Sequence, residues 1–181
     1  WLQNEDWWRT AVSELPRDNP TALVEAATTI QERLRSVPLP ESIKTEIHTA
    51  IRAFPVDTCF AVRSSSTMED LAEAAFAGQH DSFLNCRGEE AVVEAVRDCY
   101  LSIWHDRAIS YRQQHEFDHL AAHMAVVVQE MAPCESAGVA FSMNPVSGDL
   151  GVAMIDANYG LGDSVVSGIC DVDHWEIEKS S

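Results

Sequence analysis

The residue types best suited to bind a charged ligand lie between Ala61 and Asn85. Arg63 is followed by three serines and a threonine, and Gly78 belongs to a short FAGQ loop ahead of Ser82. An arginine guanidinium, neutral hydroxyl donors and an unshielded glycine N–H are groups that proteins use to hold polyphosphates. The pattern therefore points to a small phosphorylated ligand.

Each part of this pattern also has a purely structural interpretation. Arg63 could pair with Glu69 or Asp70 inside a turn rich in serine and threonine. Gly78 is the single glycine of its loop, without the spacing of a P-loop or of a dinucleotide fingerprint, so it could mark a bend before a strand. Residue types alone favour the turn, and one serine at Ser82 adds little to the phosphate interpretation.

A second candidate segment is the apolar run Val126–Met131, which ends in Gln-Glu-Met. Such a strand could offer an adenine ring an apolar wall and a backbone edge, or it could be a core strand that ends in solvent. The two interpretations are equally supported. The glycine-rich segment 158–168 could likewise close over a ligand or simply connect two strands.

Three histidines are spaced four residues apart, at His115, His119 and His123. This spacing could line one face of a helix and hold a metal. An apolar strand begins at Met124, however, so the end of a surface helix is favoured over a zinc site. No metal site is therefore assigned to this chain.

The composition narrows the possible partners. The 181 residues carry a formal net charge of −17, which disfavours nucleic acid and anionic membranes. Hydrophobic residues make up 46% of the chain, enough for a core, and no apolar run approaches membrane-spanning length. The five cysteines show no CxxC spacing, which indicates reduced thiols and a cytoplasmic location. Because the first residue is Trp1, we expect the chain to be part of a longer protein.

The spacing of apolar residues predicts the elements that must position these groups. Capping residues place helix starts at Asn4, at Asn19 and after Pro40. Further helices are predicted over Glu89–Trp104 and Asp106–Gln114. Strands are predicted at Cys59–Val62, Ser82–Asn85, Met124–Gln129, Gly138–Met143, Val152–Asp156 and His174–Glu178. Short links between the later strands predict antiparallel pairing, so the fold class is α+β, with helices first and a largely antiparallel sheet later.

Five ordered motifs resemble one known family. They are AVRSSSTMEDLAEAAFAGQHDSFLN, IWHDRAISYR, MAVVVQEM, AGVAFSMNPVSG and NYGLGDSVVSG, and they lie between Phe60 and Glu178. Their order resembles the N-terminal nucleotide-binding part of the phosphoenolpyruvate synthase and pyruvate phosphate dikinase family, which includes the rifampicin phosphotransferases. Because five motifs in one order are far more specific than a single one, the resemblance makes the phosphate interpretation of Arg63 the stronger one.

The resemblance implies an ATP-grasp fold that binds ATP with Mg²⁺. The family passes a phosphoryl group from ATP to a histidine on a separate domain of the same protein, which delivers it to pyruvate or to an antibiotic hydroxyl. On this basis residues 1–57 are expected to be the helical part of a first lobe and residues 58–181 the nucleotide-binding region, both pieces of one larger domain. The 181-residue segment alone is expected to be inactive.

The resemblance also assigns roles to individual residues. Arg63 would be the catalytic group, binding the polyphosphate and neutralising charge as the phosphoryl group leaves. Gly78 would contact phosphate through its backbone N–H, and Ser82 stands where the family usually has threonine facing the nucleotide. The adenine contacts would come from the strand residue Gln129 and from the backbones of Glu130 and Met131.

Several departures from the family pattern limit this assignment. The lysine of the first lobe has no equivalent before the helices, and the metal-binding acid and the Gln-x-Arg pair are expected after Ser181. Asp163 stands where glutamate is usual, and no proline precedes Asp173. The phosphorylated histidine is not among the seven histidines here. The alternatives are therefore an antibiotic phosphotransferase of rifampicin type and a non-catalytic nucleotide-binding or docking module.

Overall fold

The computed structural model describes residues 6–66 and 81–179. The chain divides into two compact units, Trp1–Met131 and Ala132–Ser181. Within its described residues the first unit contains α1 (Asp6–Ser13), α2 (Pro20–Ser36), α3 (Glu41–Ile51), β1 (Cys59–Ser66), β2 (Ser82–Arg87), α4 (Glu89–Ser102), α5 (Asp106–Gln114) and β3 (Met124–Glu130). The second unit contains β4 (Ser136–Phe141), β5 (Val152–Tyr159), α6 (Asp163–Val166) and β6 (Asp173–Glu178).

In the first unit, β1 is the central strand of an antiparallel sheet with the order β2-β1-β3. One face of this sheet packs against α4, where Phe60 and Val62 meet Val92, Val96 and Cys99. Val62, Val92 and Cys99 are completely buried. Burial of each such apolar side chain contributes about 2 kcal/mol, so α4 and β1 hold each other in place.

Helices α1 and α2 contribute to a second cluster beside α5, whereas Ile47 and Ile51 of α3 pack against the first cluster. Asn19 caps α2 by accepting a hydrogen bond from Ala22 N at 3.1 Å, and Pro20 occupies the first helical turn, where its missing N–H costs nothing. The helix then buries one stripe of side chains, namely Leu23, Ala27, Ile30 and Leu34. Trp8 of α1 packs edge-on against Trp104 with ring centroids 4.2 Å apart, which joins α1 to the same cluster.

In the second unit, β5 is the central strand of an antiparallel sheet with the order β4-β5-β6. The residues of β5 from Val152 to Asn158 are half-buried, and β6 is exposed along its length. None of the described residues from 132 to 179 is fully buried. This sheet therefore lacks the dry core that supports β1.

The predicted α+β class and antiparallel pairing are confirmed, as are the helices begun at Asn19 and after Pro40. The predicted end of β1 at Val62 is wrong, because β1 continues through Arg63 to Ser66 while pairing with β3 up to Met124. The serines after Arg63 thus belong to a strand and not to a turn. The predicted cap Asn4 lies outside the described residues.

Every helix that the structure describes is too short or too polar to cross a bilayer.

Candidate functional site

Three of the predicted ligand residues, Arg63, Ser82 and Gln129, lie on one face of the first sheet. In β1 the side chain of Val62 points toward α4, so that of Arg63 points to the opposite face. Arg63 pairs directly with Ser82 of β2 on one side and with Val127 of β3 on the other. Gln129 is two residues further along β3 than Val127 and shares its face. We call the side chains of Arg63, Ser82, Val127 and Gln129 the open face, since all four are exposed.

The geometry of the open face matches a ligand with a charged end and a flat apolar end. Cβ atoms of directly opposite residues in an antiparallel pair lie roughly 5 Å apart, so the hydroxyl of Ser82 can act with the guanidinium of Arg63 on one group. Val127, which is 48% exposed, lies beside Arg63 and leads toward Gln129. From β2 across β1 to β3, a hydroxyl, a cation and an apolar side chain thus follow one another, and the amide of Gln129 lies two residues further along β3.

The charge of Arg63 is not neutralised by any described part of the protein. Other arginines pair with carboxylates: Arg52 with Glu89 at 2.7 Å, and Arg35 with Asp98 at 3.1 Å. No ion pair joins Arg63 to a carboxylate in residues 6–66 or 81–179. The possible partners considered from the sequence, Glu69 and Asp70, lie outside the described residues, as does Gly78. Within the described chain the guanidinium is therefore available to an anion.

At the end of β3 the backbone offers hydrogen-bonding groups at an open edge. Met131 N donates to Cys59 O at 2.9 Å, which continues the ladder between β3 and β1. Since hydrogen-bonded pairs alternate along an antiparallel ladder, the N–H and C=O of Glu130 point away from β1. No strand among the described residues pairs with that side of β3. Of the two predicted backbone contacts, Glu130 is free to meet a ligand edge, whereas the N–H of Met131 is used inside the sheet.

The side chain of Met131 also faces the protein. Its Sδ accepts a hydrogen bond from Asn85 N at 3.1 Å, and Asn85 has a positive φ of 58°. This contact spans the bulge in β2, where the register with β1 shifts. Met131 thus helps to hold the irregular end of β2 beside the end of β3.

Asp81, immediately before Ser82, is bound by two side chains of the helical layer. Its carboxylate accepts hydrogen bonds from His105 Nε2 at 2.7 Å and from Arg107 at 2.6 Å. Sequence reasoning missed these residues because they are 24 and 26 positions apart and belong to no recognisable motif. Only the tertiary structure, which places the start of α5 beside Asp81, brings them together.

The three histidines considered as metal ligands do not share a helix. His115 follows the last residue of α5, His119 begins a short 3-10 turn over His119–Ala121, and His123 precedes β3. Burial and the nearby Arg112 guanidinium lower the pKa of His119 to about 4, so this side chain is neutral at pH 7. In the described part of the chain no three histidine, cysteine or carboxylate side chains are grouped to hold a metal ion.

A cavity of about 350 Å³ lies elsewhere in the first unit. Its lining includes Trp8, Leu34, Trp104 and His119. None of the open-face residues lines it. Its walls are mainly aromatic and aliphatic and include one arginine, Arg9, but none of the residues that the sequence pattern singled out as phosphate ligands.

The glycine-rich segment 158–168 connects β5 to β6 through the short helix α6. Gly160 and Gly168 have positive φ values of 87° and 66°, which side chains with a Cβ rarely adopt. Asp163, the carboxylate noted in the sequence, is the first residue of α6 and is exposed. The segment is thus a connection built around two glycine turns.

Comparison with known proteins identifies the family. Residues 3–181 match the family described as pyruvate phosphate dikinase, AMP/ATP-binding domain. The chain belongs to this family. The resemblance drawn from the five sequence motifs is therefore confirmed.

Curated relatives carry two different names. The chain is 36% identical to phosphoenolpyruvate synthase of Pyrococcus furiosus over 98% of its own length and 22% of the relative. It is 42% identical to a probable phosphoenolpyruvate synthase of Methanothermobacter thermautotrophicus, over 88% of the chain and 24% of the relative. It is also 40% identical to rifampicin phosphotransferase of Streptomyces sp, over 82% of the chain and 18% of the relative. The chain thus spans roughly a fifth of these relatives, and their names do not define its own activity.

Proposed function

We propose that this chain provides the ATP-binding residues of an ATP-dependent phosphotransferase. The observation that carries the proposal is the open face, where Arg63, Ser82 and Gln129 lie together although they come from three strands. Membership in an AMP/ATP-binding family supports an adenine nucleotide as the ligand of this face. The fold that we propose for the whole domain is ATP-grasp.

In this proposal the polyphosphate of ATP contacts polar and charged groups, and the adenine contacts an apolar side chain and a backbone edge. The Arg63 guanidinium binds the polyphosphate with the Ser82 hydroxyl beside it, and the family resemblance adds the N–H of Gly78. Val127 and Gln129 face the adenine, and the backbone of Glu130 meets its hydrogen-bonding edge. As the phosphoryl group leaves, the fixed charge of Arg63 offsets the negative charge that develops.

Mg²⁺ would supply further charge neutralisation at the phosphates. The described residues of the open face contribute no carboxylate to hold the ion, so none is assigned as a metal ligand. We infer that the ion arrives with ATP and is held by groups outside the described residues.

The proposed reaction transfers the phosphoryl group of ATP to a carrier histidine on another domain of the same protein. That histidine would pass it to pyruvate or to a small-molecule hydroxyl, in the cytoplasm. Relatives named phosphoenolpyruvate synthase and rifampicin phosphotransferase match at similar identities, 36–42%. The acceptor is therefore left open between a synthase and an antibiotic phosphotransferase. A non-catalytic nucleotide-binding or docking module is less favoured, because a docking surface has no need of an arginine that, within residues 6–66 and 81–179, pairs with no carboxylate.

Calorimetric titration of Mg·ATP into the intact polypeptide that carries these 181 residues tests the proposal. Arg63→Ala should weaken binding by about 1.5–3 kcal/mol, the value of a hydrogen bond to a charged group, which is roughly a 10- to 150-fold loss of affinity. Arg52→Ala is the matched control, since it removes an exposed arginine that pairs with Glu89. A folded wild-type protein that binds no ATP would overturn the proposed function.

A further inference from the structure

Two side chains from the start of α5 converge on Asp81, the residue that precedes β2. Asp81 Oδ2 accepts from His105 Nε2 at 2.7 Å, and Asp81 Oδ1 accepts from Arg107 at 2.6 Å. His105 Nδ1 lies 2.8 Å from Gln31 Nε2 of α2. We call Asp81, His105, Arg107 and Gln31 the anchor. It ties the start of β2 to α5 and, through His105, to α2.

The hydrogen-bond partners indicate the tautomer of His105. The amide nitrogen of Gln31 can only donate, so Nδ1 of His105 must accept. The ring proton is then on Nε2, which donates to Asp81. Both carboxylate oxygens of Asp81 are thereby occupied by helical donors, and each donor comes from a defined position at the beginning of α5.

The backbone of Asp81 is held as well as its side chain. Cys99 of α4 lies with Sγ 3.7 Å from Asp81 O, and Cys99 is completely buried in the cluster beneath β1. Asp81 thus contacts α4 through its carbonyl and α5 through its carboxylate. Because both the main chain and the side chain of Asp81 are held, the backbone of the next residue, Ser82, is also restrained.

Successive residues at the start of a strand point to opposite sides. Asp81 points to the helices, as its contacts show, and Ser82 points to the open face beside Arg63. We propose that Asp81 is a positioning residue that holds Ser82 in register with Arg63, so that both side chains meet the same polyphosphate. This inference rests on the proposed function, because it names what maintains the geometry of that site.

The charges support this role. In a chain of net charge −17, a carboxylate next to a phosphate-binding hydroxyl would repel the ligand unless it were neutralised and turned away. Arg107 provides the neutralising charge, and the direction of the Asp81 side chain places the pair on the helical side. The anchor therefore removes a repulsive charge from the open face while fixing the backbone behind it.

The test compares ATP affinity and thermal stability in Asp81→Asn, Asp81→Glu, Arg107→Gln and Arg107→Lys. Asp81→Asn and Arg107→Gln should each raise the Kd for Mg·ATP roughly tenfold, because a small misplacement of a binding group is costly. The lowering of the melting temperature should be only a few degrees, since the Asp81–Arg107 pair is partly exposed. The double variant Asp81→Asn/Arg107→Gln should lose less affinity than the sum of the two single variants, because both single variants remove the Asp81–Arg107 ion pair.

Rescue separates a positioning role from a general structural one. Arg107→Lys keeps the charge and Asp81→Glu keeps the carboxylate, so each should recover part of the affinity lost in the matching amide variant. Arg35→Gln is the control, because it breaks an exposed ion pair between α2 and α4 that does not touch β2. It should leave the Kd for ATP unchanged.

The possible failures are distinguishable. If wild-type protein binds ATP and the Asp81 and Arg107 variants bind it equally well, the positioning role is wrong while the proposed function stands. The positioning role is also overturned if the loss of ATP binding in each variant equals its loss of folded protein and Arg107→Lys restores no affinity. If folded wild-type protein binds no ATP, the proposed function fails and the inference fails with it.

Discussion

Two arginines of the first unit show how environment decides the use of a guanidinium. Arg63 is exposed on the open face, with no carboxylate partner among the described residues. Arg112 is fully buried: it donates to Ile103 O at 2.7 Å and to His119 Nδ1 at 3.0 Å, and it lies over the Trp104 ring. Burial lowers the pKa of Arg112 to about 10. Arg63 is suited to a ligand, whereas Arg112 is suited to a structural role between α5 and the 3-10 turn.

His119 makes the stability of the first unit depend on pH. Burial and the Arg112 guanidinium lower its pKa from 6.5 to about 4 in the folded chain. Between these values the unfolded chain binds more protons, so stability should fall as the pH drops from 6.5 toward 4. After allowance for partial exposure of the ring, we expect a loss of about 1–2 kcal/mol, measured by urea unfolding at pH 7 and pH 4.5.

The variant His119→Asn isolates this effect from the titration of the many carboxylates. Asparagine can still accept a hydrogen bond from Arg112 but does not titrate. The difference in unfolding free energy between wild type and variant should shrink as the pH falls to 4.5. An unchanged difference would show that the folded and unfolded chains bind the His119 proton equally.

At the scale of elements, sequence periodicity and capping residues predicted which segments are helices and which are strands. Asn19 and Pro20 predicted the start of α2. The apolar spacing predicted a buried face made of Leu23, Ala26, Ala27, Ile30 and Leu34, and all of these except the half-buried Ala26 are buried. The length of β1 was not predictable in this way. Ser64–Ser66 have the composition of a turn, yet pairing with Ala125 and its neighbours in β3 keeps them in the strand.

The candidate site was predictable in its residue types and not in its geometry. The adjacency of Arg63 and Ser82 depends on the register of β1 and β2, which shifts at a bulge between Phe60 and Val62. A shift of one residue would turn Ser82 to the helical side. The anchor at Asp81 was missed for a related reason, since its contacts arise from tertiary packing and not from spacing along the chain.

The cap of α2 is expected to contribute measurably to stability. Asn19→Ala removes the acceptor for Ala22 N at 3.1 Å and should cost about 1 kcal/mol. Asn19→Asp keeps a side-chain acceptor at the same position and should lose much less. The measurement is urea unfolding at pH 7, and equal stability of Asn19→Ala and wild type would mean that solvent satisfies the first turn of α2 equally well.

At the scale of the whole molecule, the two units differ in how their sheets are supported. The fully buried apolar side chains of the described chain belong to the first unit, and most of them lie in the clusters around Val62 and Leu34. The described residues of the second unit are half-buried or exposed. Because apolar burial is the main stabilising contribution to folding, the first unit should be the more stable of the two.

Hydrogen exchange can test this difference on two matched strands. β1 (Cys59–Ser66) and β5 (Val152–Tyr159) each have eight residues and each is the central strand of a three-stranded antiparallel sheet. The two strands therefore make similar numbers of hydrogen bonds to their neighbours, and they differ mainly in how deeply their side chains are buried. In the 181-residue chain, amides of β1 should exchange at least roughly tenfold more slowly than those of β5, because local opening is easier where few apolar contacts must break. Equal protection of β1 and β5, measured by mass spectrometry at neutral pH, would contradict the expectation and would mean that the two sheets open together as one cooperative unit.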